Sequence, residues 1–305
     1  MQRRQVLSTA ALLLMGCQSP PKAPPAASAP QASVPAAQPP GVVQAPRRPP
    51  KLGLVLGGGA ARGFAHIGVI QVLEDAGIKP DLVVGTSAGS LVAALYASGK
   101  NGAELETIAL TLDEGAITDW SFPSRGVIRG EALARFVRLH TGNLPIERLA
   151  RPLGVVATEL DSGVGVLFQR GDTGTAVRAS SAVPAVFQPV TIGGREFVDG
   201  GLVSPVPVRY ARQMGAEFVL AVDISSPPEG NATGDTMKLL LQTFAIMGRS
   251  INQFELRQAD VVLRPTLTGL TSADFTSRVR AIRAGREAAA ALLPDIRARL
   301  AEMTR

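Results

Sequence analysis

A serine flanked by glycines is the first residue whose surroundings suggest chemistry. The sequence G-T-S-A-G occupies residues 85–89, directly after a short apolar run, and a Leu- and Ala-rich run at 90–98 predicts a helix after it. The order of strand, tight turn and helix is that of a nucleophile elbow, in which Gly85 and Gly89 allow a sharp turn that exposes a hydroxyl group. We therefore predict that Ser87 is a nucleophile.

A serine hydroxyl needs a nearby base before it can attack a carbonyl carbon. The chain has two histidines, His66 and His140, and both lie in predicted helices where local packing or the helix dipole explains them. Asp199 ends a strand-like run, and Gly200 and Gly201 after it favour a sharp turn. A carboxylate can act as the base if it bonds the serine directly. We predict Asp199 as the base, with a histidine triad and an ordinary Asp-Gly turn as the alternatives.

A second glycine-rich segment, G-G-G-A-A-R-G at residues 57–63, lies between an apolar strand at 52–56 and a helical pattern. A phosphate-binding P-loop would need Gly-Lys-Ser/Thr, which is absent, and a dinucleotide-binding loop would need glycine where Arg62 stands. Both nucleotide functions are therefore excluded. The remaining interpretation is a loop of backbone N–H groups that face a negative group, such as a transient oxyanion.

Four segments of the chain together resemble patatin-like phospholipases. The resemblance extends over residues 52–224, and the order and spacing of the segments agree with the family. The matching segments are the glycine loop with the start of its helix (57–69), the elbow (85–89), A-S-S-A-V-P (179–184) and D-G-G (199–201).

The resemblance implies a three-layer α/β/α fold with a mainly parallel central sheet. It implies a Ser-Asp dyad, with Ser87 as nucleophile and Asp199 as base, and an oxyanion hole in the glycine loop. The oxyanion-hole residues carried over from the family are Gly57, Gly58, Gly59, Ala60 and Arg62. The resemblance implies no cofactor and no metal. A metal centre built from cysteines or several histidines is also excluded, because the chain has a single cysteine and two histidines.

The expected reaction is the transfer of an acyl group through Ser87. The residues alone predict only acyl transfer by a serine, whereas the family resemblance supplies a phospholipid or another fatty-acyl ester as substrate. An acyltransferase would use the same dyad with an alcohol in place of water. A non-catalytic envelope protein on the same fold is the third hypothesis, which an intact serine, aspartate and glycine loop disfavour.

The first sixteen residues have the pattern of an export signal. Two arginines precede an apolar run at residues 6–15, which is too short to span a bilayer, and a small residue precedes Cys17. L-M-G-C at 14–17 resembles the lipobox of bacterial lipoproteins, which implies a lipidated Cys17 as the mature N-terminus. Because Gln18 rather than Asp follows, the resemblance implies the outer membrane, facing the periplasm. An unlipidated thiol and twin-arginine export are the alternatives.

Residues 17–51 are predicted to form a disordered tether. Residues 18–50 contain eleven prolines and no aromatic residue, so they cannot bury enough apolar surface to fold. A docking site for a proline-recognising partner is the alternative. Residues 1–51 hold six of the 31 basic residues and none of the 25 acidic ones, so the rest of the chain carries 25 of each sign. A body without excess charge argues against nucleic acid as a partner.

Residues 52–305 are predicted to form one catalytic domain. The apolar positions of 237–256 predict a core-packing helix, and an acyl-chain groove is the alternative. Residues 278–300 predict an arginine-rich amphipathic helix docked on the body, and a helix lying on anionic lipid is the alternative. The loop at 225–235 is composed of residues that would allow it to cap the cleft.

Overall fold

The computed structural model describes residues 48–120, 125–229, 233–271 and 274–304. The predicted signal peptide, Cys17 and most of the predicted tether lie outside these residues. Arg48 is already part of the folded body, since its guanidinium donates to the Glu217 carboxylate at 2.6 Å, and the Lys51 N–H donates to the same carboxylate at 2.8 Å. The described part of the body therefore includes four residues before the predicted boundary at residue 52.

Short apolar runs separated by glycine, proline or polar turns produce the strands and helices of this body. The strands are β1 (Leu52–Leu56), β2 (Leu82–Thr86), β3 (Gly126–Ile128), β4 (Leu153–Glu159), β5 (Gly165–Phe168), β6 (Ala185–Phe187), β7 (Val190–Ile192), β8 (Arg195–Asp199), β9 (Phe218–Val222) and β10 (Val261–Leu263). The helices are α1 (Ala65–Asp75), α2 (Ala88–Ala97), α3 (Gly102–Thr111), α4 (Glu131–His140), α5 (Thr173–Ser180), α6 (Val208–Gln213), α7 (Thr236–Glu255) and α8 (Arg278–Met303).

The described strands form one large mixed sheet in the order β10-β9-β1-β2-β4-β8-β7, with β5 also paired to β4. Strands β10, β9, β1, β2 and β4 are parallel, whereas β5 and β8 run antiparallel to β4. The five parallel strands are almost wholly buried, as expected for strands covered on both faces. A separate two-stranded ribbon pairs β3 with β6.

Helices cover the two faces of the sheet unequally. One face packs against apolar residues of α1, α2, α3, α4, α5 and α8, whereas the other packs mainly against α6. The result is the predicted three-layer α/β/α fold with a mainly parallel sheet, and this prediction is confirmed. No described helix is both long and apolar enough to cross a membrane.

Helix α8 docks on α1 through two close backbone contacts. A Cβ on Gly68 would lie 1.9 Å from the Ile282 carbonyl oxygen, and a Cβ on Gly285 would lie 1.9 Å from the Ala65 carbonyl oxygen. Glycine is required at both positions because any side chain would push the helices apart. The prediction of a docked C-terminal helix is confirmed.

Helix α7 is different, because only Asn252 and Glu255 among its residues are buried. Leu239, Ile246 and Phe254 are 57%, 51% and 67% exposed. The prediction of a core-packing helix is therefore wrong. The helix is present where predicted, but six of its large apolar side chains are exposed, while Leu240 and Phe244 are only half-buried.

Candidate active site

Ser87 lies at a sharp turn between β2 and α2. Its backbone has φ 53°, a left-handed conformation that is uncommon for a residue with a side chain. The neighbouring glycines are required sterically: a Cβ on Gly89 would lie 2.0 Å from the Leu56 carbonyl oxygen, and one on Gly85 would lie 2.5 Å from the Gly89 carbonyl oxygen. This is the geometry of a nucleophile elbow.

Two further serines hold the backbone of this turn. The Ser87 N–H donates to Ser180 Oγ at 2.9 Å, and Ser180 Oγ donates to the Val156 carbonyl oxygen at 2.5 Å. On the other side of the turn, Ser90 Oγ donates to the Ser87 carbonyl oxygen at 2.7 Å. The N–H and the carbonyl oxygen of Ser87 thus both bond to serine side chains, which keeps the elbow in one conformation.

Strand register brings Asp199 to the level of Ser87. Thr86 pairs with Val156 on β4, and the next residue of β4, Ala157, pairs with Asp199 on β8. The serine and the aspartate are therefore two strands apart, about 10 Å between backbones, which two side chains pointing toward each other can span. Strand β8 pairs with β4 only at Ala157–Glu159, the part of β4 that extends past the end of β2, so the last residue of β8 lies level with the residue after β2.

The Asp199 carboxylate is buried and only partly satisfied. Its Oδ1 accepts from the Gly201 N–H at 2.7 Å, while Oδ2 is buried without a hydrogen bond of ordinary length to any described residue. Burial raises the pKa of Asp199 to about 6, opposed by the nearby Ser87 hydroxyl and by the Gly201 N–H. The serine is thus close enough to favour the ionised carboxylate although no tight bond joins the two groups.

Gly200 and Gly201 shape the turn that carries this carboxylate. A Cβ on Gly200 would lie 2.2 Å from the Val156 carbonyl oxygen, so only glycine lets the chain pass β4 this closely. A Cβ on Gly201 would lie 2.9 Å from Asp199 Oδ1 and would crowd the carboxylate. Thr158 Oγ1 donates to the Asp199 carbonyl oxygen at 2.8 Å and fixes the backbone there.

The glycine loop runs directly past the nucleophile, because a Cβ on Gly58 would lie 3.2 Å from Ser87 Cβ. Two of its N–H groups are already used. The Gly57 N–H donates to the Val222 carbonyl oxygen at 3.1 Å and the Gly58 N–H to the Pro205 carbonyl oxygen at 2.9 Å. We therefore correct the expectation for Gly57 and Gly58: their N–H groups hold the loop in place and are not available to an oxyanion.

The next two N–H groups of the loop remain available. Those of Gly59 and Ala60 find no acceptor among the described residues, and they precede a tight helical turn at Ala60–Phe64 that leads into α1. Unpaired N–H groups at the start of a helix attract negative charge. Ala60 has φ 49°, so its backbone, like that of Ser87, is held in a conformation that is uncommon for a residue with a side chain.

Arg62 is buried in this turn rather than exposed to substrate. Burial lowers the pKa of Arg62 to about 10, and the charge of Asp223 acts in the opposite direction. The arginine remains a cation at neutral pH. Its Nε has no hydrogen-bond partner among the described residues. Its positive charge lies behind the glycine loop, where it favours negative charge at the loop.

Neither histidine is placed as a base. His66 Nε2 donates to the Gly57 carbonyl oxygen at 2.8 Å, and burial lowers the pKa of His66 to about 4, so the ring is neutral. His140 ends α4, and its ring packs 4.4 Å from that of Phe136. Local roles for both histidines are confirmed. In the described ranges, no three His, Cys, Asp or Glu residues cluster closely enough to hold a metal ion.

A model of the patatin-like phospholipase family matches residues 54–212, which is more than half of the chain. The chain belongs to the patatin-like phospholipase family. The matched segment contains the glycine loop, the elbow and the aspartate described above.

Relatives of this patatin-like chain include an uncharacterised NTE family protein of Mycobacterium tuberculosis, 37% identical over 186 residues that make up 60% of this chain and 51% of the relative. The mouse patatin-like phospholipase domain-containing protein 6 is 33% identical over 196 residues, 61% of this chain and 14% of that protein. The chain thus spans about half or less of the length of these relatives. The crystal structure of VipD from Legionella pneumophila has the same fold, with TM-score 0.59 and 16% identity over 82% of this chain and 68% of VipD.

The patatin-like site also uses residues that the sequence analysis did not assign. Ser180 lies in the A-S-S-A-V-P segment, which was noted as a family segment without a role. Thr86 Oγ1 donates to the Ser204 carbonyl oxygen at 2.9 Å, next to Pro205, whose carbonyl holds the glycine loop. The contacts of Thr86 with Ser204 and of Gly58 with Pro205 join positions more than a hundred residues apart, so no local pattern indicates them.

Proposed function

We propose that this chain is a serine acyl hydrolase that cleaves fatty-acyl esters of lipids through a Ser87-Asp199 dyad. The observation that carries the proposal is the buried Asp199 carboxylate, which has an unpaired Oδ2 and lies beside a serine held in a strained elbow. Membership of the patatin-like phospholipase family supports a lipid ester as substrate. Mouse patatin-like phospholipase domain-containing protein 6, whose name describes a phospholipase domain, supports the same chemistry.

The first half of the reaction forms an acyl-enzyme. Asp199 Oδ2 accepts the Ser87 hydroxyl proton as Oγ forms a bond to the ester carbonyl carbon, and the carbonyl oxygen becomes an oxyanion. The N–H groups of Gly59 and Ala60, with that of Ala88 after the nucleophile, are the donors for this oxyanion. When the carbon-oxygen bond to the alcohol breaks, the alcohol takes the proton from Asp199.

The second half releases the fatty acid. A water molecule gives a proton to Asp199 and attacks the acyl carbon, a second oxyanion forms at the same donors, and Ser87 Oγ leaves with the proton from Asp199. A carboxylate with a pKa of about 6 suits both steps, because it is ionised at neutral pH yet retains appreciable basicity. The dyad thus needs no histidine.

The proposed activity is that of a carboxylic ester hydrolase of the phospholipase A or lysophospholipase type. The test is labelling of the folded protein with a fluorophosphonate, together with turnover of a short-chain ester and of a phospholipid. We expect the label on Ser87. Ser87→Ala and Asp199→Asn should each lower turnover by about a thousandfold or more, because each removes a partner of the same proton transfer.

Matched controls come from the exposed turn at Asp161 and Ser162. Asp161→Asn and Ser162→Ala make the same chemical changes away from the elbow and should leave turnover within about twofold of the wild type. A folded wild type that neither labels nor hydrolyses either ester would refute the proposal. If an acyl group passes to an added lysolipid faster than to water, the enzyme is an acyltransferase on the same dyad.

The proposed location is the bacterial outer membrane, with a lipid on Cys17 as anchor and the catalytic domain in the periplasm. The signal-like residues 1–16 and the lipobox-like residues 14–17 support it. Cys17→Ser should remove incorporation of an alkyne-labelled fatty acid and release the protein from the membrane fraction. Unchanged incorporation in Cys17→Ser would exclude this cysteine as the anchor.

A further inference from the structure

The outer face of α7 is the largest run of exposed apolar side chains on a described helix. We define this face by Leu239, Ile246, Met247 and Phe254, which are 57%, 51%, 46% and 67% exposed. At 100° per residue these four side chains fall within one third of the helix circumference. Thr243 and Ser250 lie between them, and the same arc holds no charged residue.

The opposite side of α7 rests on the catalytic body. A Cβ on Gly248 would lie 3.4 Å from Pro205 Cγ, and the Pro205 carbonyl oxygen accepts the Gly58 N–H of the glycine loop. Asn252 and Glu255, on the same side, are buried. The first two turns of the helix have no buried residue and extend beyond the body. The outer face therefore lies about one helix diameter beyond Pro205, the residue whose carbonyl oxygen holds the glycine loop.

The charges that border the outer face favour an anionic surface. Arg257 lies over the ring of Phe254 at 5.6 Å and pairs with no carboxylate among the described residues. Lys238 and Arg249 border the face on one side, and their pairs with Asp235 and Glu229 are exposed pairs of little strength. Glu255 is the one carboxylate of α7 itself, and it is turned inward toward Arg209.

We propose that the outer face of α7 binds the boundary between headgroups and acyl chains of a phospholipid bilayer and holds the catalytic site at that surface. A helix with Leu, Ile, Met and Phe on one side and Lys and Arg at its borders has the composition of helices that lie in this boundary. The inference rests on the proposed function, since a bilayer there presents lipid esters next to the glycine loop.

The chain before the described body is long enough to allow this orientation. Arg48 and Lys51 lie at the amino end of β1, whereas Ser87 and the glycine loop lie at the carboxyl ends of β2 and β1. The described chain therefore enters the body at the edge of the sheet opposite the site. Thirty residues separate Cys17 from Arg48 and would span about 90 Å in the polyproline II conformation, against a body diameter of about 50 Å. The site can therefore reach the bilayer that holds the anchor.

The direct test places a fluorescent probe on the outer face. Because Cys17 is the single cysteine of the chain, Cys17→Ser allows specific labelling of an added Ile246→Cys with an environment-sensitive dye. Ser87→Ala in the same chain keeps the lipids intact. The matched control carries the dye at Leu139→Cys, a residue that is 72% exposed on α4. The probe surface is a vesicle of phosphatidylcholine with about one third phosphatidylglycerol.

We expect the emission at position 246 to rise several-fold and shift to the blue when vesicles are added, with no change at position 139. Lipids that carry a quencher at the acyl boundary should quench only position 246. No change at 246, or the same change at both positions, would overturn the proposal. A rise at 246 that depends on protein concentration without vesicles would assign the face to a second copy of the chain and would also overturn it.

A second experiment separates this inference from the proposed function. Replacing Leu239, Ile246 and Phe254 by Gln should lower turnover of phospholipid in vesicles by about tenfold or more and leave turnover of a soluble short-chain ester unchanged. The control replaces Leu139, Val164 and Val279, which are comparably exposed, by Gln. Equal vesicle turnover in both triple variants would refute the docking role. If the wild type hydrolyses neither substrate, the proposed function fails, while the dye experiment still decides the docking surface.

Discussion

The two sides of Ser87 are held in different ways. On the oxyanion side, the glycine loop continues into α1, and α8 packs on α1 so closely that a Cβ at Gly285 would lie 1.9 Å from a backbone oxygen. On the base side, the turn after Asp199 and Pro205 is covered by α7, where a Cβ at Gly248 would meet its nearest atom at 3.4 Å. The proposed oxyanion donors are fixed by close backbone packing, whereas Asp199, the proposed base, is fixed by side-chain hydrogen bonds under a loosely packed helix.

This difference agrees with what each side must do. Donors for a transient oxyanion act best when they cannot reorganise, so a rigid support is expected there. The base side must admit a lipid substrate, and α7 with its exposed outer face is the element next to it. The comparison leads to four predictions, which we order from the largest expected effect to the smallest.

The largest effect is expected for Gly285→Ala in α8. The new methyl group would lie 1.9 Å from the Ala65 carbonyl oxygen and 2.8 Å from its carbonyl carbon, both backbone atoms at the start of α1. We expect the free energy of unfolding to fall by about 3 kcal/mol or more, with loss of ester turnover as the glycine loop moves. Denaturant unfolding and an ester assay measure both. Gly234→Ala, where a Cβ meets no atom within 4 Å, is the control, and equal stability of the two variants would contradict the tight packing of this side.

The second prediction concerns pH and distinguishes Asp199 from His66. The base must be ionised, so turnover should fall about tenfold per pH unit below the pKa of Asp199, near 6. His66, with its pKa lowered to about 4 by burial, stays neutral through this range. His66→Gln, whose amide can still donate to the Gly57 carbonyl oxygen, should therefore leave the acidic limb at the same pH. If the acidic limb shifts in His66→Gln, the group that titrates is His66, on the oxyanion side, and not Asp199.

The second prediction has a further part, because the same raised pKa predicts that the free energy of unfolding changes with pH in the opposite direction to that of an ordinary paired carboxylate. Because burial raises the pKa of Asp199 from its usual 3.8 to about 6, the folded state binds the proton more tightly than the unfolded state. This contribution to the free energy of unfolding is present below about pH 4 and is lost as the pH rises to about 6. Asp199→Asn should remove the dependence and be more stable than the wild type at pH 7. An unchanged dependence in this variant would assign it to another group.

The third prediction compares one arginine on each long helix. Arg286 of α8 donates to Gln71 Oε1 at 2.7 Å and to Glu106 Oε2 at 2.6 Å, and Glu106 is 26% exposed. Arg249 of α7 pairs with Glu229, and both side chains are more than half exposed. Arg286→Met should lower the free energy of unfolding by about 1–2 kcal/mol, whereas Arg249→Met should change it by about 0.5 kcal/mol or less. Equal losses in urea unfolding would show that both helices are held alike.

The sequence predicts the centre of the fold well, because its signals there are local. Each parallel strand is a short apolar run bounded by glycine or polar turns, and the elbow and the glycine loop need glycine at definite positions. Those two loops and Asp199 lie together because the ends of β1, β2 and β8 meet at one edge of the sheet. Pattern and fold class were therefore sufficient to predict that the elbow, the glycine loop and Asp199 lie together.

The remaining features depend on partners distant in the sequence. The N–H groups of Gly57 and Gly58 are taken by carbonyl oxygens of Val222 and Pro205, which no local pattern indicates. For α7, the apolar periodicity predicts a helix with an apolar face but does not say what covers that face. The more apolar of the two long helices is the exposed one, and the arginine-rich α8 is docked, because its glycine and alanine residues allow close packing.

The smallest effect is expected for Gly248→Ala in α7. A methyl group there would lie 3.4 Å from Pro205 Cγ, an ordinary van der Waals contact, and alanine is favoured over glycine within a helix. We expect the free energy of unfolding to rise by about 0.5–1 kcal/mol, with ester turnover within about twofold of the wild type. The same substitution at Gly285 is strongly destabilising, so the pair measures the packing on the two sides of Ser87 with one chemical change. A destabilised Gly248→Ala would mean that α7 packs on Pro205 as tightly as α8 packs on α1, and the base side would then be as rigid as the oxyanion side.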